Sequence, residues 1–234
     1  MDNKKNITFN MPEHILYDFI SSFPEAAHLK DVNTKKYIHS NIHNLKVYGL
    51  NDPKKVIGLT VHDLDNFMKP YWGEGFANQI TEFDSSIKKN TVIITDKNRV
   101  FLDKFGLVHI QNMTKAPICN KDNKVSAILT MSFEITNTLD RFHIFNIYKK
   151  IYKKKREACL YFLQHLKIIK FLKEILSDKE IICLLNMVEN KSHKWIAGKM
   201  TISHKTVESH ISNIMNKIKN ESLPFILEFI RADN

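Results

Sequence analysis

Ser203-His-Lys-Thr-Val-Glu-Ser-His-Ile-Ser-Asn-Ile-Met-Asn-Lys-Ile218 is the stretch on which the reading of this chain turns. Val207, Ile211, Ile214 and Ile218 recur at spacings of four, three and four, which places them on one stripe of a helix and predicts that stripe to be buried. Lys205, Glu208, Ser209, Ser212 and Asn216 fall on a separate polar stripe that faces out. Ser203 stands where a helix takes its N-cap, so the helix is predicted to run to about Lys217.

Toward the N-terminus, Thr201-Ile-Ser203 reads as a tight connection to a shorter helix capped by Ser192, with Ile196, Ala197 and Met200 turned inward. Before it, Ser177-Asp-Lys-Glu180 is a capping box, a serine oxygen for free N–H groups with a glutamate three residues on. The helix it opens would bury Ile181, Leu184, Leu185 and Val188 and end at Asn190, which tolerates left-handed backbone. Toward the C-terminus, Ser222 to Arg231 predicts a fourth helix whose Phe225, Ile226, Phe229 and Ile230 cover the bundle or make a dimer contact. Two short helices joined by a three-residue turn, the second apolar behind and polar in front, match a helix-turn-helix that sets one helix in the DNA major groove. Periodicity alone fits an ordinary helical bundle with a solvated face equally well.

The residue pattern is more specific. Leu176-Ser-Asp-Lys-Glu-Ile181, then Asn190-Lys-Ser-His-Lys-Trp-Ile-Ala-Gly-Lys-Met-Thr-Ile-Ser203 and the helix after it, closely resembles the LuxR/GerE-type helix-turn-helix over about a quarter of the chain. Asn190 and Trp195 stand where that family usually has glycine and glutamate, and no glycine follows Ile218. The resemblance implies base-reading roles for Lys205, Thr206, Glu208, Ser209 and Ser212, and phosphate contacts for Ser192, Lys194, Ser203, His210 and Lys217. Phosphate contacts would set register and base contacts sequence choice. Plainer readings exist: Glu208 as a surface acid paired with a lysine, His210 as a wedged ring, Trp195 as packing.

Residues 12–136 read as mixed α/β. Pro12 to Phe23 and Trp72 to Lys88 have helical spacing, and Asn51-Asp-Pro-Lys-Lys-Val is a turn followed by a helix start. Strands are predicted at Ala27–Lys30, Lys36–Ser40, Thr91–Thr95, Leu107–Ile118 and Lys124–Ile135, with a hairpin turn at Asn120-Lys-Asp-Asn. An antiparallel sheet with helices on one face follows. His28-Leu-Lys-Asp-Val-Asn-Thr-Lys-Lys-Tyr-Ile-His-Ser-Asn41, Tyr48-Gly-Leu50 and Ile128-Leu-Thr-Met-Ser-Phe-Glu-Ile-Thr136 resemble a PAS domain. That resemblance implies sensing of a small molecule, cofactor binding or dimerisation. The expected architecture is α+β: a PAS-like sensor or dimerisation domain at 12–136, a basic helical linker at 137–176, and an all-α four-helix helix-turn-helix domain at 177–234. The linker's Ile144, Ile147, Ile151, Leu163, Leu166, Ile169 and Leu172 suggest one helix or two, and a possible dimer seam.

Charge is a weaker guide. The net +10 divides as +2 over 1–136, +7 over 137–176 and +1 over 177–234, so the excess lies outside the DNA-reading segment. Cys119, Cys159 and Cys183 form no CxxC pair and read as reduced, cytosolic thiols. No apolar run is long enough for a membrane span, and no secretory signal is recognised.

The sequence holds no phosphate-cradling glycine loop, nucleophile–base pair or metal-ligand cluster, so neither enzymatic chemistry nor a metal site is expected. No flavin-adduct motif surrounds a cysteine, the PAS ligand is not identified, and DNA binding requires no cofactor. His62 and His109 are the histidines to examine for haem ligation. The preferred reading is a cytoplasmic, homodimeric regulator that binds double-stranded DNA under the control of a PAS ligand or partner. The competing reading is a PAS-based interaction adaptor whose helical domain does not read DNA.

Overall fold

The computed structural model describes residues 12–232. It forms two compact units that divide between Ile135 and Thr136.

The first unit is built on a five-stranded antiparallel sheet with the order β2-β1-β5-β4-β3. The strands are β1 (Ala26–Asp31), β2 (Tyr37–Ser40), β3 (Ile94–Leu102), β4 (Val108–Cys119) and β5 (Val125–Glu134). Helix α1 (Glu13–Ser22) precedes them, and α2 (Ile42–Lys46), α3 (Val61–Trp72) and α4 (Phe76–Asn90) lie between β2 and β3. This is the PAS-like arrangement that the sequence resemblance implies. Pro117 is tolerated in β4, an inner strand, because pairing with β3 stops at Lys115.

The helices cover both faces of the sheet, not one. Strands alternate their side chains, so β1 and β5 each present two sets. Ala27, Leu29, Ala127 and Leu129 form an apolar face that Leu16 and Ile20 of α1 bury. The other face carries Ala26, His28, Thr130 and Ser132, and lies under the helices that follow β2. Leu45, Tyr48, Leu64, Met68 and Phe101 form the main apolar cluster there.

Two element boundaries also differ from the sequence expectation. Trp72 ends α3, and α4 starts at Phe76. Gly73 and Gly75 separate them at φ 73° and 88°, backbone that other residues adopt only under strain. Strand β3 runs seven residues beyond Thr95 to Leu102. Asp96-Lys-Asn-Arg99 reads as a turn but folds as a bulge, with Asn98 at φ 54° donating its N–H to Asn112 Oδ1.

In the second unit the segment 137–176 folds as two short helices, α5 (Arg141–Ile151) and α6 (Lys155–His165). Their inner faces meet through Phe145 and Phe162, with ring centroids 4.7 Å apart. Ile144, Leu163, Leu166 and Leu172 are buried, Ile147 and Ile169 are half-buried and Ile151 is exposed, so only part of that stripe is open to a dimer contact. Lys153 to Arg156 stay exposed at the corner between the two helices. Four further helices follow, α7 (Asp178–Val188), α8 (His193–Met200), α9 (His204–Lys217) and α10 (Leu223–Ala232). No described helix is long and apolar enough to cross a membrane.

His109, near the start of β4, lies 2.8 Å from Glu134 and 3.3 Å from Asp103 through its two ring nitrogens. Both nitrogens are engaged, which leaves none for haem ligation. Burial lowers its pKa, but hydrogen bonds to Asp103 and Glu134 outweigh this and raise it to about 9. A raised folded-state value gives stability that is complete below about pH 6.5 and is lost as pH rises through about 9. After screening of its partly exposed side chain, the contribution is on the order of 1–2 kcal/mol. Thermal unfolding of the first unit is therefore expected to weaken between these pH values, and His109→Gln to flatten that dependence. An unchanged slope in the variant would assign the effect to other groups.

Candidate nucleic-acid interface and sensor cavity

Helix α7 opens with the expected capping box: Ser177 Oγ accepts from the Glu180 N–H, and Glu180 Oε2 accepts from the Ser177 N–H at 2.7 Å. The helix closes at Asn190, with φ 58°. Arg231 of α10 donates to the carbonyls of Met187 and Val188 and to Asn190 Oδ1, satisfying the free acceptors at the end of α7. Ser192 caps α8, and Thr201, at φ 55°, turns the chain toward Ser203, which caps α9. The helix-turn-helix is α8, this turn and α9.

Val207, Ile214 and Ile218 are fully buried and Ile211 half-buried, as the apolar stripe requires. Ile218 leaves the helix in extended backbone and bridges Leu172, with Lys173 N–H donating to the Lys217 carbonyl and Lys219 N–H to that of Phe171. The end of α9 is thus fixed by the strand-like segment before α7. The opposite face is open: Lys205, Glu208, Ser209, Ser212 and Asn216 are all exposed. Ser209 Oγ donates back to the Lys205 carbonyl at 3.0 Å, which leaves its lone pairs outward.

The other expected contacts divide. Lys194 is exposed on α8, and His210 is half-buried. The hydroxyls of Ser192 and Ser203 are spent on caps, and Thr206 Oγ1 lies 2.8 Å from Ser203 Oγ. Their place at the helix start remains, with backbone N–H groups available to an anion. Lys217 has a partner that the sequence did not announce. Its ammonium donates to both oxygens of the buried Glu180, at 2.8 and 3.1 Å, and ties α9 to α7. Burial raises the Glu180 pKa, but Lys217 and Ser177 overcome this and hold it low. Lys217 therefore has a structural task whether or not it also touches DNA.

Three features escaped the sequence reading. Trp195 is exposed, with the ammonium groups of Lys191 and Lys199 at 5.3 and 6.0 Å from its ring, so α8 carries a cationic, aromatic surface. His204 Nδ1 lies 3.5 Å from Glu208. His193, His204 and Glu208 also place three potential metal-ligand atoms within 4.8 Å of one another, although no metal site was expected. His193 belongs to α8 and His204 to α9, so no fixed spacing announces them.

In the first unit, a cavity of about 50 Å³ lies between the sheet and its covering helices. Its wall includes His28, Tyr48, Trp72, Phe76, Arg99 and Lys115. Lys115 Nζ donates to Asp84 Oδ1 at 2.6 Å, and Lys30 pairs with the other oxygen of the same carboxylate. Burial, reinforced by the charge of Lys30, lowers the Lys115 pKa to about 7. Burial also holds His28 neutral, well below the usual histidine range, with Lys30 and Lys115 adding to the effect.

Residues 174–228 match the family described as bacterial regulatory proteins, luxR family. No curated protein sequence matches the chain. Among solved structures, the phage VqmA–DPO complex is 18% identical, covering 94% of this chain and 88% of that one, with a TM-score of 0.49. The VqmA–ligand–DNA complex of Vibrio cholerae is 17% identical, covering 96% and 88%, with a TM-score of 0.45. The PAS domain of BvgS from Bordetella pertussis is 14% identical, covering 59% and 97%, with a TM-score of 0.47.

Proposed function

Residues 174–228 being a luxR-family helix-turn-helix domain, we propose that this protein is a sequence-specific transcriptional regulator that grips double-stranded DNA with α8 and α9. One observation carries the reading: the polar face of α9 is exposed along its length while the apolar face is packed away. Lys205, Glu208, Ser209 and Ser212 are assigned to base edges. Lys194, His210 and the backbone at Ser192, Ser203 and Thr206 are assigned to phosphates. A second copy on an adjacent half-site would supply the two-fold symmetry usual for such motifs. The reading domain is assigned to 177–234, the sensor domain to 12–136 and the linking helices to 137–176. The protein acts in the cytoplasm and without catalytic chemistry, its first unit taking a small molecule in the cavity beside Trp72. Such a ligand controls DNA binding only by binding the competent and incompetent states differently.

Selection of bound fragments from random DNA by the full chain tests this, followed by titration against salt. Enrichment of a defined sequence, with affinity falling steeply as salt rises, is the expected result, because phosphate contacts release counterions. Failure to enrich any sequence, with and without cell extract, favours the adaptor reading.

A further inference from the structure

The wall of the first unit's cavity has a chemistry of its own. Among the described residues, three of its buried polar atoms have no partner: His28 Nε2, Trp72 Nε1 and Arg99 Nε. Buried polar groups are ordinarily satisfied, so each marks a place for another molecule's atoms.

The charges are unbalanced as well. Lys30 and Lys115 share the single carboxylate of Asp84. Among the described residues Arg99 has no ion-pair partner: its guanidinium lies 4.4 Å from the Phe76 ring and 5.4 Å from that of Phe101, and Nη1 donates to the Met113 sulfur. Asp96 attracts it through space without reaching it. Arg99 thus lacks the paired carboxylate that Lys30 and Lys115 share, His28 is neutral, and Glu134, at the end of β5, already accepts from His109 and Gln111. Arg99 is half-buried with its Nε shut off from solvent, and a partly desolvated cation of this kind gains from an incoming anion.

Backbone geometry aims this charge deliberately. The bulge between Asp96 and Arg99 takes up one extra residue, so Arg99, opposite Gln111, stays on the same face as Asp96, opposite Met113. His28 supplies a different demand. Its Nδ1 lies 3.2 Å from Asn44 Oδ1, while Asn44 Nδ2 donates to Ser40 Oγ. A neutral ring that donates from Nδ1 presents a bare lone pair at Nε2. The cavity therefore offers donors at Arg99 and Trp72 and an acceptor at His28, between the apolar surfaces of Trp72, Phe76 and Phe101.

We propose that the cavity takes a compact organic anion, whose carboxylate or equivalent acceptor meets Arg99 and Trp72 and whose hydroxyl or N–H donates to His28. This rests on the reading of the cavity as the sensor site. Neutralising the cation cluster would tighten the first unit, so the ligand is expected to stabilise it in proportion to its occupancy.

The test uses the full chain carrying Trp195→Phe, which leaves Trp72 as the only indole because the sequence has two tryptophans. Glycolate, lactate, 2-hydroxybenzoate and 4-hydroxybenzoate are each titrated beside the matching neutral amide, following Trp72 emission and thermal unfolding. At least one acid is expected to shift the emission saturably and raise the melting temperature, with its amide much weaker. Arg99→Gln is expected to weaken that acid roughly tenfold to a hundredfold, the range for a lost charge-assisted hydrogen bond. Arg99→Lys serves the same comparison if the glutamine variant fails to fold. His28→Phe is expected to remove the advantage of the hydroxy acid over its deoxy counterpart. Equal binding of acids and amides, unimpaired binding in both Arg99 variants, or no binding by any acid overturns the proposal. A neutral molecule from cell extract that shifts Trp72 emission would overturn the anionic class yet keep the sensor reading. No shift with any extract fraction would remove the sensor reading itself.

Discussion

Replacing Lys205 and Ser209 by alanine together is expected to abolish sequence-specific DNA binding while leaving the protein folded. Both side chains are exposed on the open face of α9, and neither contributes to the stripe formed by Val207, Ile214 and Ile218. Alanine is at least as good a helix former as either residue, and Ser209 loses only a bond back to its own helix. Thermal stability should therefore stay within about 0.5 kcal/mol of the parent, as for surface substitutions generally. A base contact is worth about 1–3 kcal/mol of discrimination, so two lost together weaken the selected site by roughly thirtyfold to twenty-five-thousandfold. Nonspecific binding, which depends on phosphates, should change little. Fluorescence anisotropy with selected and scrambled duplexes separates the two. Unaltered preference for the selected duplex would remove both residues from the reading face and return α9 to the role of a solvated bundle helix.

The second large effect belongs to the first unit. Asp84→Asn is expected to destabilise it by about 3–5 kcal/mol, the cost of breaking a buried ion pair from one side. Lys30 and Lys115 are each 1% exposed, and Asp84 is the carboxylate that pairs both. The amide keeps the volume but leaves two ammonium groups facing each other on one surface of the sheet. At this size the loss corresponds to a fall of roughly 10–20 °C in melting temperature. Adding Lys115→Met should recover part of it, because one of the stranded cations is then gone. A melting temperature within about 2 °C of the parent in Asp84→Asn would show that the lysines find other partners or lose their protons.

The helix-turn-helix was the more legible half. Its determinants are local: Ser177, Ser192 and Ser203 cap the helices that follow them, Asn190 turns the chain, and the spacing of Val207 to Ile218 selects the buried face. The strand pattern of the first unit was readable for the same reason, side-chain alternation being a property of the backbone. The pairing of Lys217 was not legible because its partner, Glu180, lies far off in sequence on α7, and a lysine on a polar helix face gives no sign of a buried acid beside it. Strand β3 was cut short because Asp96-Lys-Asn-Arg99 has the composition of a turn, and only pairing with β4 makes it a bulge. Helix α1 was placed with the other helices because nothing near residues 13–22 names the sheet face it will cover.

Sequence by itself determined where the helices of the helix-turn-helix start and stop, which of their faces are apolar, and that one of them presents a polar front. These follow from interactions between residues a few positions apart. Tertiary structure alone decided which charges are neutralised and which are left over: Lys30, Asp84, Arg99 and Lys115 come from four separate elements, and His28 from the same strand as Lys30. Electrostatic balance in a buried space depends on distance through space and on exclusion of water, and neither is written in the spacing of residues along a chain.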